Sequence, residues 1–154
     1  MKVMYICTGN ICRSAMAEAM LKNKIEKDDK LKGKLEVCSC GTFAEDGDTS
    51  TQEAIDVMEE YGIDLKTHRA TNIASSKIKD MDVILCATNS HKMMVLRMYP
   101  ELKSKVYTMK EYIGETEDLD IKDPWGYNIA VYRMCAAEIE NTIEKSIQKW
   151  YNLK

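Results

Sequence analysis

The sequence predicts an α/β fold in which a parallel sheet is covered by helices on both faces. Strand-like and helix-like segments alternate along the chain. The first strand, Val3-Met4-Tyr5-Ile6, is apolar at every position, as strands buried on both faces are. The segment after it switches at once to a helical period, with Ala17, Met20, Leu21 and Ile25 on one stripe.

Taken in order, the first strand covers Met1 to Ile6 and the first helix about Ser14 to Lys27. The charged stretch Glu26 to Lys34 is a solvated loop. Leu35, Val37 and Ser39 lead a second strand that ends at Cys40-Gly41-Thr42, on the sheet edge that also carries Cys7 if the strands are parallel. Phe43 to Ser50 is an acidic loop with Glu45, Asp46 and Asp48. Ser50-Thr51-Gln52-Glu53 has the capping-box form with Ser50 as N-cap, and Ala54, Val57, Met58 and Tyr61 form the stripe of the second helix. Gly62 suits the residue after that helix, with Ile63 folding back over the last turn.

A loop from Asp64 to Ala70 follows, and the third strand is Asp82 to Cys86. Thr88 or Asn89 caps a helix that ends before Pro100, with Met93, Leu96 and Tyr99 expected to face the core. Val106-Tyr107-Thr108 is a short fourth strand, and Met109 to Ile113 a helical turn. After a loop over residues 114–128, a long helix runs from about Asn128 to Tyr151, with Tyr132, Cys135, Ile139, Ile143, Ile147 and Trp150 on one face.

The 154 residues form one domain, 1–154, large enough for a sizeable core. A net charge of −3 gives no reason to expect nucleic acid as a partner. No apolar run approaches membrane-spanning length, and the N-terminus lacks the pattern of a signal peptide, so a cytoplasmic location is expected. In a reducing compartment the six cysteines are thiols. They make no Cys-x2-Cys pair, and the histidines number two, His68 and His91, so no metal site is expected. Cys38-x-Cys40 is read as small apolar residues at a strand end, and Cys86 and Cys135 as core.

Chemistry concentrates where the first strand ends, in Cys7-Thr8-Gly9-Asn10-Ile11-Cys12-Arg13-Ser14. A small-residue loop between a strand and a helix turns successive N–H groups inward, and the helix N-terminus adds its positive end. Gly9 lets the backbone come close to a ligand. Asn10 tolerates the left-handed conformation that a tight cradle needs. Arg13 offers a planar fork for two phosphate oxygens. The groups that would bind a dianion also stabilise a thiolate at Cys7, and that thiolate lies in line with the phosphorus of a bound monoester. Ser14 could hydrogen-bond the sulfur and help it leave. Cleavage also needs a proton for the departing oxygen. Asp123, stiffened by Pro124 in Asp123-Pro124-Trp125-Gly126, is the candidate acid, and afterwards the base that activates water.

The loop from Cys7 to Ser14 resembles the nucleophile loop of the low-molecular-weight protein tyrosine phosphatases of bacterial type, and the resemblance runs through to the C-terminus. It implies a three-layer αβα fold with strand order 2-1-3-4. It implies a metal- and cofactor-independent hydrolysis of phosphotyrosine or aryl phosphates through phosphocysteine. Thr8, Gly9, Asn10, Ile11, Cys12 and Arg13 match its phosphate-binding loop. An Asp-Pro-aromatic loop supplies the acid in this family, which puts Asp123 in that role and Trp125, where Tyr or Phe is usual, on a wall of the substrate slot. Asn10, Ser14, Ser39 and His68 match a network that ties the loop. Expected partners are a phosphotyrosine-bearing protein or a small aryl phosphate, with no nucleic acid and no membrane, and the chain as a monomer or weak dimer.

Three other readings share these residues. Thioredoxin-coupled arsenate reductases use the same scaffold but relay a disulfide through further cysteines. Cys86 is suitably placed for such a relay, yet the following helix has no Cys. Protein-arginine phosphatases tend to carry Thr where this chain has Ile11, and an apolar Ile11 suits an aromatic ring better. A phosphate-binding redox sensor would form a Cys7–Cys12 disulfide. The set Cys7, Arg13 and Asp123 has no purpose in a pure binder, so such a disulfide is read as a protective switch on an enzyme.

Overall fold

Strand β1 (Lys2–Cys7) lies inside a four-stranded parallel sheet in the order β2-β1-β3-β4, with β2 at Glu36–Gly41, β3 at Val83–Cys86 and β4 at Val106–Thr108. The computed structural model describes residues 1–152; Leu153 and Lys154, the end of the expected domain, lie outside the described residues. Cys7 pairs with Gly41, Ile6 with Cys86, and Cys86 with Thr108. All four strands therefore end at one edge, the place where open parallel sheets bind ligands.

Alternation along β1 divides the core in two. Val3, Tyr5 and Cys7 face a cluster built with α1 (Arg13–Glu26), α2 (Gln52–Glu60) and α5 (Ile129–Tyr151). Met4 and Ile6 face the other way, towards Ile73, Ile78, Val95 and Leu102, under α3 (Asn89–Met98). This is the expected three-layer αβα architecture with strand order 2-1-3-4. The predicted stripe of α5 is buried at all six positions from Tyr132 to Trp150, and a short α4 (Met109–Tyr112) leaves β4 through a capping box between Thr108 and Glu111. Gly62 takes φ 75°, with Gly62 N–H on Glu59 and Ile63 N–H on Met58, the paired bonds that close a helix C-terminus. Among the described residues no helix is long and apolar enough to cross a membrane.

Two local expectations are corrected. The N-cap of α2 is Thr51, whose hydroxyl accepts the N–H of Ala54; Ser50 is buried just outside the helix. The backbone N–H of Thr51 bonds the carbonyl of Ile11, which anchors the helix start one residue later than its sequence suggests. In α3 the buried positions are His91 and Val95, whereas Met93 is exposed and Leu96 and Tyr99 are half-buried. Apolar residues lie all round that helix, so hydrophobicity alone does not choose its inward face.

Candidate active site

Cys7 is the last residue of β1, and α1 begins at Arg13, so five residues bridge sheet and helix. The N-cap of α1, Cys12, makes no side-chain capping bond. The first N–H groups of α1 are thereby left to the loop, with the positive end of the helix behind them. One of them, Ser14 N–H, is aimed at Cys7 Sγ at 3.5 Å, and Ser14 Oγ lies 2.9 Å from the same sulfur. Asn10 Nδ2 donates to Ser14 Oγ at 2.8 Å, which leaves the Ser14 proton free to point at the sulfur.

Asn10 takes the expected left-handed conformation, φ 57°. Its side chain is fully buried and fully used. Nδ2 also donates to Ser39 Oγ at 2.8 Å, and Oδ1 accepts from Thr71 N–H at 2.9 Å. Its carbonyl accepts from His68 Nε2 at 2.8 Å, so that nitrogen carries the proton. Ser39 in turn donates to Glu18. The structure thus brings Ser14, Ser39 and His68 together around Asn10.

Arg13 is buried, and its guanidinium faces the loop between α4 and α5. Nη1 donates to the carbonyl of Ile121 at 2.9 Å, and Nη2 lies 3.6 Å from Asp123 Oδ2. Nε is buried without a protein partner. The Asp123 loop is also held by bonds of its own. Ile121 is buried and donates to the carbonyl of Ala87, Asp120 accepts from Asn89 N–H, and Pro124 is buried. Asp123 itself is half exposed and accepts from Trp125 N–H with Oδ1, leaving Oδ2 turned to Arg13.

A cavity of about 250 Å³ lies between these loops, lined by Cys7, Thr8, Gly9, Ile11, Cys12, Arg13, Asp123 and Trp125. Trp125 stands at its rim, 64% exposed. Chemically the arrangement offers a sulfur with two donors, a guanidinium, a ring of backbone N–H groups and a carboxyl on the open side. Such a set can supply a nucleophile, an anion clamp and a proton donor around one small space. Among the described residues no group of three or more His, Cys, Asp or Glu could hold a metal ion.

Burial pushes the Cys12 thiol up, with hydrogen bonds from Tyr132 and Thr51 opposing, and burial raises Cys135 and Cys40 to about 12. Cys86 is enclosed in the sheet and likewise raised by burial, which disfavours its thiolate.

Two residues of this site escape sequence reasoning. Gly41 has no room for a side chain: a Cβ would lie 2.3 Å from the carbonyl oxygen of Thr8 and 2.9 Å from Asn10 N. The strand end and the loop touch there, and Phe43 N–H bonds the same Thr8 carbonyl at 3.0 Å. The second is His91, whose ring reaches from α3 to Thr8 with Nε2 2.8 Å from Oγ1. Its signal was an imidazole one turn inside a helix that starts from the same sheet edge as Cys7.

Comparison with known proteins gives a consistent outcome. A family model described as low molecular weight phosphotyrosine protein phosphatase matches residues 2–152. A protein-arginine-phosphatase of Geobacillus stearothermophilus is 38% identical over 148 residues, covering 96% of this chain and 95% of that protein. Among solved structures, a low molecular weight protein tyrosine phosphatase from T. tengcongensis superposes with a TM-score of 0.88 at 38% identity, over 97% of this chain and 99% of that one. The YwlE arginine phosphatase, in a C7S variant with a phosphorylated active-site serine, gives 0.92 at 28% identity over 100% and 98%.

Proposed function

The chain belongs to the low molecular weight phosphotyrosine protein phosphatase family, whose members are hydrolases, and on that premise we propose that Cys7, Arg13 and Asp123 carry its catalysis. The supporting observation is that Cys7 Sγ lies beneath Ser14 Oγ and Ser14 N–H in the cavity that Arg13 and Asp123 close. A phosphate monoester enters with its three free oxygens on the N–H groups of residues 8–13 and on Arg13. The Cys7 thiolate attacks phosphorus as the bond to the leaving oxygen breaks, and Asp123 gives its proton to that oxygen. A water then attacks the phosphocysteine and gives a proton to the Asp123 carboxylate. The S–P bond breaks, Ser14 stabilises the departing thiolate, and inorganic phosphate leaves. The chain's own residues handle every proton in these steps, and neither metal nor cofactor enters them.

The substrate we propose is phosphotyrosine on a protein, or a small aryl phosphate. Ile11 and Trp125 give the slot one apolar and one aromatic wall, which suit a flat ring. Phosphoarginine, a phosphoramidate and not an ester, is the competing substrate class, in keeping with the two arginine phosphatases described above. We further propose that the chain acts as a single domain in the cytoplasm, as a monomer or weak dimer.

The test is hydrolysis of p-nitrophenyl phosphate at mildly acidic pH with chelator present, comparing wild type with Cys7→Ser. Turnover in the first and none in the second is expected. No turnover by freshly reduced wild type would overturn the assignment. Matched phosphotyrosine and phosphoarginine peptides then decide between phosphate ester and phosphoramidate as the substrate class.

A further inference from the structure

The cradle is tied at its middle by Asn10 and at its first residue by a second set of bonds. Thr8 is anchored twice: its carbonyl accepts from Phe43 N–H, and its hydroxyl meets His91 Nε2 at 2.8 Å. His91 is buried, 7% exposed, and the other nitrogen of its ring, Nδ1, lies 2.8 Å from Thr88 Oγ1. Thr88 caps α3, its hydroxyl oxygen accepting the backbone N–H of His91 at 3.2 Å. That oxygen keeps its own proton, and Nδ1 lies within reach of it. In the tautomer with Thr88 as donor, the single proton of a neutral ring sits on Nε2 and is donated to Thr8. A Thr8 hydroxyl that accepts from the ring keeps its own proton free, and Thr8 lines the cavity beside Cys7 and Arg13.

We propose that His91 is a positioning residue that fixes the Thr8 hydroxyl as a donor towards the phosphoryl oxygens in the cavity. The proposal rests on the phosphatase reading above. It needs a neutral ring with its proton on Nε2, and the surroundings favour the neutral form. Burial and the nearby Arg13 hold His91 down at about 4 against the opposing charges of Asp123 and Asp120, so the ring stays neutral where an ordinary histidine begins to titrate. Thr88 sets the direction of the bond, and α3 carries it from the end of β3 to the end of β1.

Two experiments on the full chain test this. Nitrogen-15 NMR of the histidine rings, with and without inorganic phosphate, is expected to show His91 protonated at Nε2 and bare at Nδ1 in both states. A proton on Nδ1 would overturn the proposal. In a double-mutant cycle, His91→Phe and Thr8→Val are each expected to lower kcat/KM for an aryl phosphate about tenfold, and to weaken inhibition by inorganic phosphate similarly, the worth of one hydrogen bond to a charged group. The double variant is expected to lose about the same tenfold, because one residue acts through the other. His91→Gln, which keeps an N–H donor, is expected to recover most of the loss. Additive losses, or a loss in His91→Phe with none in Thr8→Val, would overturn the proposal and make His91 a packing residue. The NMR and phosphate-binding readouts do not depend on turnover, so failure of the phosphatase reading and failure of this proposal are distinguishable.

Discussion

Arg13 Nη1 donates to the carbonyl of Ile121 at 2.9 Å, across 108 residues of sequence. That bond joins the loop after β1 to the loop that carries Asp123, so on the proposed mechanism one side chain both faces the phosphoryl group and helps to locate the acid. Nη2 lies 3.6 Å from the Asp123 carboxylate, and Nε is buried with no partner among the described residues. Lysine keeps a charge but loses the fork. Arg13→Lys is therefore expected to lower kcat/KM by about 10²–10³, the usual cost of a preorganised donor. Steady-state kinetics on an aryl phosphate checks this, with circular dichroism to confirm the fold. A loss below tenfold would mean that the guanidinium geometry is not needed.

Asp123 is half exposed at the open side of the cavity, so on the proposed mechanism its removal leaves the cradle intact and takes away the proton donor. Asp123→Ala is expected to slow aryl phosphate cleavage by about 10²–10⁴. The loss is expected to shrink as the leaving group improves, since a good leaving group needs less protonation. Phenyl phosphate compared with p-nitrophenyl phosphate measures that difference. Equal losses on both would assign Asp123 to binding instead of proton transfer.

Gly41 marks the contact between strand β2 and the cradle. A methyl group there would lie 2.3 Å from the Thr8 carbonyl oxygen, a backbone atom that cannot swing aside. Gly41→Ala is expected to destabilise the protein by about 1–3 kcal/mol through overpacking. Displacement of the loop is expected to cost roughly 10² in kcat as well. Thermal unfolding read beside kinetics separates the two effects. A variant that is destabilised but fully active would place the strain outside the cradle.

The legible parts of this site are the contiguous ones. Cys7 to Ser14 is one stretch, and the chemistry of each residue follows from being next to the others, down to the left-handed Asn10. Asp123 was reached because the reaction needs a proton donor and the loop before the last helix offers a stiffened carboxyl. Gly41 and His91 were not legible, because their roles come from what approaches them in space: a carbonyl from the cradle in one case, a threonine hydroxyl in the other. Helix α3 shows the same limit. Met93, Met94, Val95, Leu96 and Met98 surround it, so the pattern could not reveal that His91 and Val95 face inward.

The neutral His91 ring also makes stability depend on pH in a definable direction. Burial first, and Arg13 second, lower its pKa from 6.5 to about 4, with Asp123 and Asp120 partly opposing. As pH falls through 6.5 the ring in the unfolded chain takes up a proton, while the folded ring stays neutral until about 4. The unfolded state therefore binds more protons across this window and is favoured by acid. The contribution of His91 is full above pH 6.5 and is lost as pH falls to about 4. In calorimetry at constant ionic strength, wild type is expected to lose Tm more steeply than His91→Gln over that window, and the two are expected to run parallel above about pH 7. Carboxylates elsewhere contribute equally to both proteins, so the difference in slope isolates the ring. Identical slopes would mean that the ring titrates in the fold as it does in the unfolded chain, and would remove the electrostatic basis for its fixed proton.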